Sequence, residues 1–76
     1  MNTNLAVDKI EESFAVYKNG EIYHSVISDT ERILIEKALK YTEGNQLNAA
    51  RMLGINRNTL RSKIRKFKID QARFKS

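Results

Sequence analysis

The chain has no cysteine, no proline and no tryptophan, and its 76 residues include one histidine, His24. The lack of cysteine excludes disulfides, and a single histidine offers too few ligands for a structural metal site. A chain this short buries only about 60% of the surface that its unfolded form exposes. Because disulfides and metals are excluded, self-association is the remaining aid to stability. We therefore expect a homodimer with no metal and no cofactor.

Long apolar runs are also missing, so no segment of the sequence is expected to span a membrane. Residues 1 to 12 lack the basic flank and apolar run of a signal peptide, which predicts a cytoplasmic protein. There is no glycine-rich phosphate loop, no nucleophile paired with a base and no cluster with metal-ligand spacing. We expect neither an enzyme nor a protein that binds a small-molecule ligand.

Positive charge is concentrated at one end of the chain. Residues 1 to 56 have six Lys or Arg against eight Asp or Glu, a net charge of −2, whereas residues 57 to 76 have eight against Asp70 alone, a net charge of +7. Such asymmetry is typical of a polyanion-binding end attached to a nearly neutral body. An anionic membrane or an acidic protein would also suit this charge.

Three glycines, Gly20, Gly44 and Gly54, are the main breaks in a chain without proline. They divide the sequence into four pieces whose apolar residues have helical spacing. We predict an all-α fold of four helices. The first two helices of each chain are expected to form an intertwined four-helix core in a dimer, and the last two to form a helix-turn-helix.

The first piece has an apolar stripe at helical spacing, formed by Val7, Ile10, Phe14 and Tyr17. The stripe predicts a helix that ends near Asn19-Gly20. Residues 14 to 26 also alternate around Asn19-Gly20, which is a strong signal for a β-hairpin. A helix and a short hairpin are therefore alternatives for this segment.

The second helix is predicted to begin at Ser28 or Asp29, because either can cap it and Ser28 with Glu31 matches a capping box. Gly44 is placed to end it in a left-handed conformation. Two adjacent apolar stripes predict contacts on two sides, with its own domain and with a second subunit. The stripes are Leu34, Ala38 and Tyr41, and Ile35 and Leu39.

The third and fourth helices are predicted to form a helix-turn-helix from Gln46 to Phe67. Asn45 is the expected cap of the third helix, and Gly54 can adopt positive φ in the turn. Asn56 is the expected cap of the fourth helix. A hydrophobic staple is expected between the residues at N′ and N4, which are Ile55 and Leu60.

The last helix has one apolar face and one donor-rich face. At about 100° per residue, Leu60, Ile64 and Phe67 face inward. Arginine can bind guanine through two hydrogen bonds, asparagine can pair with adenine, and lysine and threonine suit phosphate oxygens. The opposite face therefore predicts binding to double-stranded DNA; its residues are Asn58, Ser62 and Arg65, flanked by Thr59, Arg61 and Lys66.

The segments Tyr41-Thr-Glu-Gly-Asn-Gln46, Ala49-Ala50 and Leu53 to Arg61 resemble the C-terminal part of the Fis family. The resemblance covers about residues 28 to 70. It implies a four-helix Fis-like domain with dimerisation helices in residues 1 to 44, a helix-turn-helix in residues 45 to 70 and a basic tail in residues 71 to 76. Two branches of the family fit: the free-standing, DNA-bending nucleoid protein, and the DNA-binding end of σ54-dependent activators such as nitrogen regulatory protein C.

The resemblance also implies roles for individual residues. Arg57 and Arg61 are the expected base-contacting pair, although the helical wheel places Arg57 closer to the inner face, and the donor chemistry adds Asn58 to them. The expected phosphate contacts are Asn45, Gln46, Asn56, Thr59, Lys63, Arg65 and Lys66. The expected dimer contacts are Phe14, Leu34, Ile35, Ala38 and Leu39.

A dimer of this kind predicts a degenerate palindromic site, read by two helices in successive major grooves about 34 Å apart. A shorter spacing would require bent DNA with A·T-rich central steps. The rival hypothesis is a basic amphipathic helix that docks on an anionic membrane or an acidic protein. The exposed face Asn58, Ser62 and Arg65 has no Trp or Leu to insert into a membrane, which disfavours that rival.

Overall fold

A computed structural model describes residues 3 to 75, with side chains described from residue 6. Its helices are α1 (Thr3–Val16), α2 (Ile22–Tyr41), α3 (Gln46–Leu53) and α4 (Arg57–Lys66), followed by a short 3-10 helix, Gln71–Phe74. No strand occurs within this described range. The predicted all-α fold of four helices is confirmed.

The hairpin alternative for residues 14 to 26 is wrong, because this segment contains the end of α1, a connection and the start of α2. The backbone of the connection makes helix-type hydrogen bonds: Tyr17 N donates to Ser13 O at 3.0 Å and Glu21 N to Lys18 O at 3.1 Å. Gly20 has a φ of 90°. The glycine therefore separates two helices, whereas a hairpin would have used it in a two-residue turn.

The predicted start of the second helix is also wrong, since α2 begins at Ile22 and passes through Ser28 and Asp29 without a break. Within this part of α2, the Thr30 hydroxyl donates to the carbonyl of Val26 at 2.8 Å, a bond across one helical turn. A capping pattern involves only a few neighbouring residues, so it does not show whether a helix has already begun before them. The predicted end is confirmed, because Gly44 has a φ of 85° and its N–H donates to Leu39 O at 2.8 Å.

The chain divides after Thr30 into two compact units. In the first unit no side chain is buried among residues 6 to 30. Several large apolar side chains there are at least half exposed, including Val7, Phe14 and Tyr23. The first unit thus has helical structure without a core of its own in the described residues.

The second unit contains the buried core, which is formed by residues of α2, α3 and α4 and by Ile69. Leu39 and Leu60 are both fully buried in it. Leu53, Ile55, Phe67 and Phe74 pack around its edge. The buried set is Ile35, Ala38, Leu39, Ala49, Ala50, Leu60, Ile64 and Ile69.

This core revises the expected dimer contacts. Ile35, Ala38 and Leu39 are 2%, 3% and 0% exposed, so the chain's own core covers them and they are not available to a second subunit. Phe14 and Leu34 are 66% and 53% exposed. Of the two apolar stripes predicted on the second helix, the stripe of Ile35 and Leu39 is buried in the core. In the other stripe Ala38 is buried as well, whereas Leu34 lies outside the core.

Candidate nucleic-acid interface

The turn between α3 and α4 is closed by two backbone hydrogen bonds around Gly54, whose φ is 76°. Gly54 N donates to Arg51 O at 3.2 Å, and Ile55 N donates to Ala50 O at 3.0 Å. This is the Schellman arrangement, which satisfies carbonyl groups at the end of a helix and needs a left-handed residue. The turn fixes the direction in which α4 leaves α3, as the sequence predicted for Gly54.

Both predicted asparagine caps are confirmed. The Asn45 side chain accepts a hydrogen bond from Asn48 N at 3.1 Å, and the Asn56 side chain accepts one from Asn58 N at 2.7 Å. Each asparagine backbone is extended, so its carboxamide oxygen holds the first turn of the following helix. The amide –NH₂ of each cap is then the group that would donate to a phosphate oxygen.

The two faces of α4 differ as the sequence predicted. Leu60 and Ile64 are 0% and 4% exposed on the inner side. A shallow groove follows the outer side, and it is lined by Asn58, Arg61, Ser62 and Arg65. Arg57 is exposed at the first residue of α4, outside the lining of this groove. The structure therefore brings two of the three expected base contacts together along one groove and places the third at the helix start.

Lys63 differs from the other expected phosphate contacts on α4. Its ammonium group lies 2.7 Å from a carboxylate oxygen of Glu31, and both side chains are about 30% exposed. The pair joins α4 to α2 within the second unit, so the charge of Lys63 is balanced inside the chain. A phosphate contact by Lys63 would have to compete with Glu31, whereas Thr59, Arg65 and Lys66 are exposed.

A second groove lies beside the first, where the start of α3, the end of α4 and the 3-10 helix meet. The carboxamide of Gln46 donates a hydrogen bond to that of Gln71 across it. Its lining residues are Gln46, Arg61, Ile64, Arg65, Lys68, Ile69 and Gln71. Neither Lys68 nor Gln71 has a role predicted from the sequence, in which the one available signal is that basic residues continue past Phe67.

The charge of α4 is of one sign, since its ten residues include five Lys or Arg and no Asp or Glu. Lys66 lies over the ring of Phe67, 5.4 Å from the ring centroid. In the part of the chain that the structure describes, no three His, Cys, Asp or Glu residues are grouped to hold a metal ion. None of the described helices is both long and apolar enough to cross a membrane. The surface is thus suited to a polyanion through side-chain and backbone donors.

Residues 26 to 67 match the model of the bacterial regulatory proteins of the Fis family. The match spans more than half of the chain and includes α3, the turn and α4. The chain belongs to the Fis family. The matched residues include the caps Asn45 and Asn56, the turn at Gly54 and the donor-rich face of α4.

Relatives come from both branches of the Fis family. The chain is 44% identical over 68 residues to the DNA-binding transcriptional regulator NtrC of Azospirillum brasilense, a match that covers 84% of this chain and 14% of that protein. It is 49% identical over 47 residues to the DNA-binding protein Fis of Mannheimia haemolytica, covering 62% of this chain and 48% of the relative. For the protein of that name from Psychromonas ingrahamii, the identity is 51% with the same coverage.

The matched region thus spans about half of the Fis proteins and a seventh of the NtrC regulator. No solved structure matches the chain.

Proposed function

We propose that the protein binds double-stranded DNA by placing α4 in the major groove. The observation that carries the proposal is the outer face of α4, where Asn58, Arg61 and Arg65 line one groove opposite the buried Leu60 and Ile64. An α-helix fits the major groove, and arginine and asparagine are the side chains that bind guanine and adenine edges through paired hydrogen bonds. The relatives named as DNA-binding proteins support the same function.

The residues divide into two roles. Arg57, Arg61 and Asn58 would contact bases, because they lie at the start or along the outer face of α4. Backbone phosphates would be held by side chains and helix starts around this face, which fixes the register of the protein on the duplex without reading sequence. These phosphate contacts are Asn45, Gln46, Asn56, Thr59, Arg65 and Lys66.

The proposal includes a homodimer that binds a degenerate palindrome. Apolar side chains without cover support it: on α2, Tyr23, Ile27, Leu34 and Tyr41 are exposed at intervals of four or seven residues, which places them along one side of the helix. Phe14 on α1 is exposed as well, and a second copy would bury these apolar side chains. Two copies of α4 would enter successive major grooves, and a spacing below about 34 Å would require the DNA to bend.

A second candidate is that these residues are the DNA-binding end of a longer σ54-dependent activator. It is favoured by the NtrC match, which covers 84% of this chain against 62% for Fis. Both candidates use α4 in the same way. They differ in whether the protein bends DNA as part of the nucleoid or positions an activator at a promoter.

The test of DNA binding compares Arg61→Ala with Lys40→Ala, a variant that removes the same charge from α2. A duplex is first selected from a random library by the wild-type protein, and binding is measured by fluorescence anisotropy. Arg61→Ala should weaken binding to the selected duplex by about 1 to 3 kcal/mol, roughly 5- to 150-fold, and leave binding to random duplexes largely intact. Equal losses on selected and random DNA would show that Arg61 does not contact bases.

A further inference from the structure

The second groove, at the corner formed by α3, α4 and the 3-10 helix, has a volume of about 480 Å³. Three of its lining side chains are cations, Arg61, Arg65 and Lys68, and none of its lining residues is acidic. Ile64 and Ile69 contribute the apolar part of its lining. Arg61 and Arg65 also line the groove on the outer face of α4, so the two grooves are adjacent.

Lys68 is directed to this corner by the way α4 ends. Lys68 N donates to Arg65 O at 3.1 Å and Ile69 N donates to Ile64 O at 3.0 Å, the same pattern that closes the α3 turn. Lys68 has a φ of 54°, a left-handed conformation that a β-carbon disfavours and that glycine adopts freely. The chain therefore has a lysine at a position where the backbone favours glycine.

The far wall of the groove is the segment after Lys68, and it is fixed to the second unit. Asp70 caps the 3-10 helix by accepting from Ala72 N at 3.0 Å, and Phe74 packs against the core. Gln71 accepts a hydrogen bond from Gln46 at the start of α3. Arg73 lies 3.9 Å from Glu36. These contacts make the groove a built feature of the fold.

We propose that this groove receives one backbone phosphate of the bound DNA, with Lys68 as its cation beyond the end of α4. The proposal rests on the proposed function, because it places the phosphate beside the bases that α4 would contact. Lysine suits a phosphate as a point charge, and the contact would be independent of sequence. It extends the footprint beyond Lys66, where α4 ends.

Lys68→Ala tests the inference through salt dependence. Each phosphate that a cation neutralises adds about 0.9 to the slope of log K against log salt, so the slope should become shallower by that amount. The ratio of wild-type to variant DNA affinity should then fall about 3.5-fold between 50 and 200 mM salt, equally on selected and random duplexes. Lys40→Ala is the matched control for loss of one charge, and its slope should equal the wild-type slope. Lys68→Arg should retain the wild-type slope.

Lys68→Gly separates binding from folding, since glycine suits the φ of 54° while the cation is lost. It should unfold at or above the wild-type temperature and still have the shallower slope. A wild-type slope for Lys68→Gly, or equal reductions in Lys68→Ala and Lys40→Ala, would overturn the groove contact. If those results accompany the expected loss in Arg61→Ala, the proposed function stands without this contact. Absence of DNA binding by the wild-type protein would overturn the proposed function itself.

Discussion

Residues 6 to 30 and residues 31 to 75 both fold into helices, but their apolar side chains have different surroundings. After Thr30, eight residues form a buried core, and Leu39 and Leu60 have no exposed surface. Before Glu31 no described side chain is buried, and Phe14 is 66% exposed. Most helical stability in proteins comes from packing of an apolar face. The apolar side chains of the second unit are thus covered by its own core, whereas those of the first unit need cover from elsewhere, which is the role proposed for a second copy.

The largest expected effect is the loss of stability when a core residue of the second unit is replaced. Leu60→Ala should destabilise the protein by about 2 to 5 kcal/mol, because it removes methyl groups from a fully buried position and leaves a cavity. A small domain has a total stability of about 5 to 15 kcal/mol, so this variant should lose a large part of it and unfold at a clearly lower temperature than the wild type. Thermal unfolding followed by circular dichroism measures the loss.

Phe14→Ala is the matched variant in the first unit, and its effect should depend on protein concentration. An exposed side chain that contacts nothing changes stability by no more than about 0.5 kcal/mol. In a dimer, the wild-type unfolding temperature should rise with concentration, and Phe14→Ala should weaken that dependence. A wild-type unfolding temperature that is independent of concentration, with Phe14→Ala unfolding at the same point, would contradict the proposed dimer surface.

A smaller effect compares a glycine from each unit. Gly20 and Gly54 have φ values of 90° and 76°, and a β-carbon at either position would meet no atom within 4 Å. Gly20→Ala and Gly54→Ala should therefore each cost about 1 to 2 kcal/mol through backbone conformation alone. Because Gly54 sets the direction of α4, only Gly54→Ala should also weaken DNA binding once both variants are measured at a temperature where they are folded. Equal binding losses would mean that the two turns are coupled through the dimer.

The smallest effect is expected when one of two lysines of α4 is replaced, and it concerns the salt dependence of DNA binding. Lys63 is paired with Glu31, and Lys66 is exposed on the same helix. Lys66→Ala should reduce the salt slope of DNA binding by about 0.9, with base preference unchanged. Lys63→Ala should leave the slope unchanged and lower stability by about 0.2 to 1 kcal/mol, since a partly exposed ion pair contributes little. A shallower slope in Lys63→Ala alone would show that the ion pair opens on DNA.

Features that depend on neighbouring residues were predictable from the sequence. The caps Asn45 and Asn56 and the left-handed Gly44 and Gly54 each act within one helical turn, and all four have their predicted conformations. Ser28 had the same local signal, but whether it caps a helix depends on the residues before it, and those are helical from Ile22.

Features that join distant residues were not predictable. Which surface covers Ile35 and Leu39 is decided by α3 and α4, so an apolar stripe alone did not distinguish a core from an interface. The pairing of Lys63 with Glu31 joins two helices, and no spacing rule within one helix could indicate it. The placement of Lys68 depends on the left-handed turn after α4, which no glycine in the sequence indicates.

The two alanines on the inner side of α3 affect how precisely α3 and α4 are positioned. Ala49 and Ala50 are 0% and 2% exposed, so α3 is seated on the core through methyl groups. A methyl group has no alternative rotamers and loses no side-chain entropy on burial. These two contacts of α3 therefore involve no choice of rotamer on its own side, and α4 follows α3 after a three-residue turn. An α4 held in this way would present its arginines to the double helix over a narrower range of angles, before any partner constrains them.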